Sequence, residues 1–117
     1  MLVIWVALGG AVGAAARHLL TVGSVALLGE AFPYGTLACN VVGSTAIGWL
    51  AVNLETESAK AFWMIGVLGG FTTFSSFSLQ TWRLVEQDAL GLAALYAALS
   101  FALCLGGVAL GLVLARG

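Results

Sequence analysis

Residues 90–114 read LGLAALYAALSFALCLGGVALGLVL, a run of 25 residues without one charged side chain. An α-helix rises about 1.5 Å per residue, so about 20 apolar residues cross the ~30 Å hydrocarbon core of a bilayer. Outward from this run, three more apolar stretches of comparable length occupy residues 2–28, 35–52 and 62–82. The pattern predicts an all-α membrane protein whose four transmembrane helices form a single domain, residues 1–117, within the lipid bilayer.

The composition excludes several classes of protein. Hydrophobic residues make up 62% of the chain and charged residues only 8%, whereas roughly a quarter of the residues are charged in a soluble domain. The net charge of −1 provides no basic face for nucleic acid. The chain has one histidine, and every acidic residue lies outside the four apolar stretches. No acid–base pair can therefore assemble within the membrane, and the chain is not expected to be an enzyme.

Basic residues are divided almost evenly between the two sides of the membrane. Four spans place both termini and the second loop on one side, which carries Lys60 and Arg116, and leave Arg83 on the other. Because an excess of Lys and Arg sets the orientation of a membrane protein, a count of two against one is a weak bias. The count is compatible with insertion both ways round, which would lead naturally to an antiparallel dimer. It is equally compatible with one orientation that other features determine.

Polar side chains interrupt the first two apolar stretches. Arg17 is the one strong charge inside a span, and a guanidinium at membrane depth is costly unless it faces water or reaches the interface. We expect Arg17 to line a wet vestibule that concentrates anions, with a snorkelling arginine as the alternative. Asn40 lies one turn beyond Thr36 in the second span. Its amide offers two donors to an anion, or a hydrogen bond to a neighbouring helix.

The fourth stretch carries a polar residue every fourth position. Tyr96, Ser100 and Cys104 share one face of a helix at this spacing, and their two hydroxyls and one thiol form a candidate polar ladder. A serine in a membrane helix often bonds to its own backbone instead. Cys39 and Cys104 both lie inside spans, where thiols are usually packing residues, so no disulfide framework is implied.

The third stretch contains the sequence GGFTTFSSFS at residues 69–78. Paired glycines followed by paired threonines disfavour a continuous helix, so we expect the third helix to be broken at its middle. A break at membrane depth is tolerated where the freed backbone is buried or coordinates an ion, and carbonyl oxygens suit sodium. Beyond the break, Phe74 and Phe77 share a face, and the positive edges of their rings can face an anion. Ordinary core packing is the alternative for either ring taken alone.

Three segments together resemble the signature of the Fluc/CrcB family of fluoride channels. They are GGAVGAAAR at residues 9–17, PYGTLACNVVG at residues 33–43 and the GGFTTFSSFS segment at residues 69–78. The resemblance covers the whole chain in motif order, length and number of spans, and the third segment is nearly diagnostic by itself. It implies a fluoride-selective channel in the cell inner membrane, built as an antiparallel dual-topology homodimer with two pores.

The resemblance also implies roles for particular residues. The fluoride pore would be lined by Asn40, Phe74, Phe77, Thr36, Tyr96, Ser100 and Cys104. Arg17 would stand in the vestibule, and the backbone carbonyls of Gly69 and Thr72 from both subunits would hold a structural sodium ion (Na+). Two positions depart from the family pattern. His18 stands where a tyrosine is common, and Cys104 occupies a position where a hydroxyl is common, although a thiol donates hydrogen bonds only weakly.

Fluoride suits such a path because it is the smallest halide and a strong hydrogen-bond acceptor. The path must replace its hydration water with amide, hydroxyl and ring-edge donors and still let the ion leave. We expect passive, electrogenic export that lowers cytoplasmic fluoride. Two alternatives are a small dual-topology proton-coupled exporter of the multidrug-resistance type, which needs an intramembrane carboxylate, and a non-conducting assembly subunit. A partner that is a paralogue instead of an identical copy also stays open.

Overall fold

The computed structural model describes residues 1–117, and nearly all of them are helical. In chain order the elements are α1 Leu2–Leu28, α2 Tyr34–Asn53, α3 Glu57–Lys60, a π-helical segment Ala61–Leu68, α4 Gly69–Phe71, α5 Phe74–Glu86 and α6 Leu90–Arg116. The elements from α3 to α5 lie end to end and form the third span, Glu57–Glu86. Each of the four spans is long and apolar enough to cross a membrane. The prediction of an all-α protein with four membrane-spanning helices is therefore confirmed.

Short connections join the spans, and two of them contain a residue with left-handed backbone. Gly29 ends α1 with φ 81°, a conformation that costs glycine little because it lacks Cβ. Asp88 follows α5 with φ 60°, and aspartate tolerates this region better than most residues. In the second connection the Thr56 hydroxyl accepts a hydrogen bond from the Ala59 N–H at 3.2 Å and caps α3. These tight connections make neighbouring spans antiparallel.

The spans pack in two pairs, α1 against the third span and α2 against α6. Glycines allow both pairs to approach backbone to backbone. A Cβ on Gly13 would collide with the Val67 carbonyl oxygen, and a Cβ on Gly111 would collide with the Thr45 carbonyl oxygen. Small residues permit such close contact in membrane helices, where dispersion replaces the hydrophobic effect as the driving force. The glycine seams thus join helices within one chain.

The outer surface of the chain is apolar. Only 18 of the 117 residues are buried, and many leucine, valine and tryptophan side chains are exposed on the outside. Trp5, Trp49 and Trp63 are exposed near the end of the bundle that holds both termini, and Trp82 is exposed near the other end. Tryptophan prefers the interface between lipid and water. The surface is therefore that of a multi-pass membrane protein.

Candidate functional site

The site is built around an interruption of the third span. Thr72 (φ −93°, ψ 156°) and Thr73 (φ −154°, ψ 126°) are extended, and they separate α4 from α5. Both residues are β-branched, which favours extended backbone over helix. Thr73 also caps α5, because its hydroxyl oxygen accepts a hydrogen bond from the Ser76 N–H at 3.2 Å. The sequence therefore stops one helix and starts the next within two residues.

Asn40 of α2 binds both backbone groups of Thr73. Its Nδ2 donates to the Thr73 carbonyl oxygen at 3.0 Å, and its Oδ1 accepts from the Thr73 N–H at 2.7 Å. This amide therefore pairs with the extended backbone, which would otherwise leave two polar groups without partners at membrane depth. Nδ2 carries two hydrogens, so the second N–H of Asn40 is available to another acceptor.

The interruption removes the usual donors of two carbonyl oxygens. In a continuous helix the Thr73 N–H would donate to the Gly69 oxygen, but here it donates to Asn40 Oδ1. Likewise the Ser76 N–H would donate to the Thr72 oxygen, but here it donates to the Thr73 hydroxyl oxygen. The carbonyl groups of Gly69 and Thr72 are thereby freed from regular helical bonding, and carbonyl oxygens are ligands for hard cations.

Arg17 of α1 reaches the third span just before the interruption. Its Nε donates to the Gly70 carbonyl oxygen at 3.0 Å, and the side chain is half-buried. The guanidinium thus compensates part of its desolvation with a charge-assisted hydrogen bond. The structure assigns Arg17 a contact with the interrupted backbone, which its position in the sequence alone does not reveal. The neighbouring His18 is exposed.

A cavity of about 350 Å³ opens beside the interruption, and we call it the central cavity. Seven residues predicted from the sequence line it: Asn40, Gly69, Thr72, Phe74, Phe77, Ser100 and Cys104. They come from α2, the third span and α6, so the fold brings together positions that are far apart in the chain. Thr36, Tyr96 and Arg17 do not line this cavity. None of its lining residues carries a formal charge.

The two phenylalanines of the site differ sharply in exposure. Phe74 is 69% exposed, whereas Phe77 is 7% exposed. Their ring centroids lie 5.3 Å apart with an interplanar angle of 44°. Phe77 also contacts Tyr96, at 5.1 Å between centroids, and Phe101, at 6.0 Å in an edge-to-face arrangement. Phe77 is therefore packed among three other aromatic rings, whereas Phe74 projects from the surface of the chain.

The three polar residues of α6 have different surroundings. Tyr96 is fully buried, and its hydroxyl donates to Gln80 Oε1 at 3.0 Å. The hydroxyl of Ser100 is buried beside the central cavity and has no hydrogen-bond partner in the chain. Cys104 is half-buried in the same wall. A buried hydroxyl without a partner is costly, and Ser100 is the one side chain in which the structure leaves a buried oxygen without a partner.

A second cavity of about 350 Å³ lies at the end of the bundle that holds the first and third connections. It is lined by Thr36 of α2 and by Gln80 and Arg83 of α5. Sequence reasoning missed Gln80, although two signals were present. It is a polar residue inside the third stretch, and it follows Phe77 by three positions, which places both on one face of α5. Tyr96 contacts one lining residue of each cavity: its ring packs against Phe77 of the central cavity, and its hydroxyl donates to Gln80 of the second cavity.

Comparison with known proteins agrees with this architecture. The family model described as "CrcB-like protein, Camphor Resistance (CrcB)" matches residues 4–112. A protein of Cereibacter sphaeroides named "Fluoride-specific ion channel FluC" is 52% identical over 114 residues, which cover 96% of this chain and 92% of that protein. Proteins of the same name from Rhodospirillum centenum and Caulobacter vibrioides are 50% identical over 120 residues and 45% identical over 117 residues. They cover 98% and 95% of this chain, and 95% and 92% of their own lengths. These names describe ion channels, which are not enzymes. With a family model over nearly its whole length and relatives this similar, the chain belongs to the CrcB family.

Proposed function

We propose that this chain forms a fluoride-selective ion channel that exports fluoride passively across the cell inner membrane. The observation that carries the proposal is the central cavity, where an amide, an unpartnered hydroxyl and two phenylalanine rings meet at membrane depth without a charged side chain. The relatives named as fluoride-specific channels support fluoride as the ion. Such export would be electrogenic, because fluoride would cross alone, and it would lower the cytoplasmic fluoride concentration.

The donors in the central cavity suit fluoride in particular. Ser100 supplies a hydroxyl with no partner in the chain, and Asn40 supplies the second N–H of its amide. The rings of Phe74 and Phe77 supply positive edges. A set of weak donors without a fixed cation replaces hydration water and still releases the ion, as conduction requires. Tyr96 and Thr36 would continue the path toward the second cavity, and Arg17 would attract the anion from the water.

An antiparallel homodimer would complete the pores. Phe74 is 69% exposed, and Gly69 is exposed beside it, so the site lies open on one face of the chain. A second copy on this face would cover the apolar ring and close the central cavity, giving two pores per dimer. The nearly balanced distribution of Lys60, Arg83 and Arg116 is compatible with the insertion both ways round that such a dimer needs.

A structural sodium ion would sit where the two copies meet. The carbonyl groups of Gly69 and Thr72 lack their regular helical donors, and both residues line the central cavity. Two carbonyls from each copy would provide four oxygen ligands, which is the chemistry that Na+ requires. The ion would stabilise the interrupted backbone and the dimer together.

Efflux from proteoliposomes tests the proposal. Vesicles containing the purified protein and loaded with potassium fluoride are diluted into fluoride-free buffer, and a fluoride electrode follows release. We expect rapid release that requires valinomycin, because potassium must then carry the compensating charge, and we expect no release from vesicles loaded with chloride. Release without valinomycin would indicate proton-coupled fluoride exchange instead of electrogenic conduction. No release from folded protein would reject the homodimeric channel and favour a non-conducting subunit or a missing paralogue.

A further inference from the structure

The second cavity differs from the central cavity in its charge. Arg83, in the last turn of α5, and Glu30, in the first connection, both line it, whereas no charged side chain lines the central cavity. Exposed residues of two connections, among them Gly29, Glu30 and Gln87, form part of its lining. The second cavity therefore opens to water at this end of the bundle.

The positive charge of Arg83 is free to act on ions in this cavity. The one ion pair of the chain lies within α3, so Glu30 does not pair with Arg83 although both line the same cavity. Arg83 is also the only basic residue that lines either cavity. Arg17 lines neither of them, and its Nε donates to the Gly70 carbonyl oxygen. A free cation thus stands where the second cavity meets water.

Uncharged groups connect this cavity to the central one. Gln80 lines the second cavity, and its Oε1 accepts a hydrogen bond from the Tyr96 hydroxyl at 3.0 Å. The ring of Tyr96 packs against Phe77 of the central cavity, with 5.1 Å between the centroids. A cleft lined by fixed charge raises the local concentration of oppositely charged ions, and this attraction acts over a distance that salt shortens. The chain therefore has its charge at the mouth and its neutral groups farther inside.

We propose that Arg83 concentrates fluoride in the second cavity and so sets the rate at which the ion enters the path at low salt, and that Glu30 opposes it. Arg83 acts through its field and not as a tight binding site, because an ion that is held tightly would leave slowly. The inference rests on the proposed function, since the field matters only for an anion that passes through this cavity.

The unit current of single channels in planar bilayers is the readout, because it does not depend on how many copies of the protein fold. Currents are recorded under an applied voltage with ~10 mM sodium fluoride on both sides, first alone and then with ~1 M sodium gluconate, conditions in which the Debye length is about 30 Å and about 3 Å. The variants are Arg83→Gln, Arg83→Lys, which keeps the charge, and Glu30→Gln. Arg116→Gln is the matched control, because Arg116 is exposed and lines neither cavity.

At low ionic strength Arg83→Gln should reduce the unit current by about three-fold or more, and Arg83→Lys should retain most of it. Glu30→Gln should raise the current. In the concentrated salt all three variants should come within about two-fold of the unmodified protein, because screening removes the field. Arg116→Gln should match the unmodified protein in both solutions.

An unchanged current in Arg83→Gln at low ionic strength would overturn the inference and leave the channel standing. A loss that persists in concentrated salt, or that Arg83→Lys shares, would also overturn it, because the role of Arg83 would then be structural. An equal loss in Arg116→Gln would assign the effect to overall charge and overturn the inference as well. No fluoride current from the folded, unmodified protein in either solution would reject the proposed function itself.

Discussion

Replacement of Asn40 by aspartate should affect both the stability of the protein and its conduction of fluoride, and the two effects can be measured separately. The carboxylate keeps an oxygen that can accept a hydrogen bond from the Thr73 N–H, whose nitrogen lies 2.7 Å from Asn40 Oδ1 in the unmodified protein. It loses the Nδ2 donor that binds the Thr73 carbonyl at 3.0 Å and places a second oxygen against that carbonyl. A buried polar group left without its partner costs about 1–3 kcal/mol, and hydrogen bonds between membrane helices measure about 0.6 kcal/mol on average and at most about 1.7. We therefore expect the lost hydrogen bond alone to lower the free energy of unfolding of Asn40→Asp by about 1–2 kcal/mol, and burial of the ionised carboxylate to add to that loss.

The same charge should also have a large effect on conduction. A carboxylate about 4 Å from a passing anion repels it by about 4 kcal/mol at an effective dielectric constant of about 20. Since about 1.4 kcal/mol is a factor of ten in a rate, the fluoride efflux of Asn40→Asp should fall by about three orders of magnitude. The lining of the central cavity contains no positive side chain that would offset this charge.

The measurement is fluoride efflux in the presence of valinomycin, together with the thermal unfolding midpoint in detergent. Asn53→Asp is the matched control. Asn53 lies on the same helix, about 20 Å further along at 1.5 Å per residue, and its Nδ2 donates to the Trp49 carbonyl oxygen in an exposed position. The control should conduct like the unmodified protein. Efflux by folded Asn40→Asp within ten-fold of the unmodified rate would refute the reasoning, because it would place the ion path away from this amide.

Three further predictions concern helix packing, the Arg17 contact and the buried ring. Gly13→Ala should lower the thermal midpoint, because the new Cβ collides with a carbonyl of the third span and such overpacking costs about 1–3 kcal/mol. Gly23→Ala is the control and should keep or raise the midpoint, because there is open space around Gly23. Equal midpoints for the two variants would contradict the packing. Arg17→Lys keeps the charge but loses the Nε donor to the Gly70 carbonyl oxygen, so we expect a destabilisation of about 1–2 kcal/mol in the same thermal unfolding assay. An unchanged midpoint would show that this hydrogen bond does not contribute to stability. Phe77→Ile should reduce fluoride efflux strongly, because the positive edge of the ring is lost. Phe62→Ile is the control and should leave efflux near normal, because Phe62 lies on the π-helical segment outside the central cavity. Similar efflux rates in the two variants would exclude the Phe77 ring from the ion path.

The sequence alone was sufficient to predict that this chain lies in a lipid bilayer and that it has four membrane spans. Only 8% of the residues are charged, which is too few to cover the surface of a water-soluble fold. Apolar runs as long as residues 90–114 match the thickness of a bilayer. The local chemistry of the GGFTTFSSFS segment at residues 69–78 likewise pointed to an irregular backbone, since glycine and β-branched residues weaken a helix wherever they stand. These properties depend on composition and near neighbours, so no tertiary information was needed.

Tertiary structure decided which polar groups meet. The partners of Asn40 and Arg17 lie 33 and 53 positions away in the chain, and both are backbone atoms, which no residue pattern identifies. The spacing of Tyr96 and Ser100 placed them on one face of α6, yet the hydroxyl of Tyr96 is bonded to Gln80 while that of Ser100 is left without a partner. The rotation and crossing of the helices determine such contacts. They follow from close glycine packing between spans, and that packing is a property of the assembled bundle.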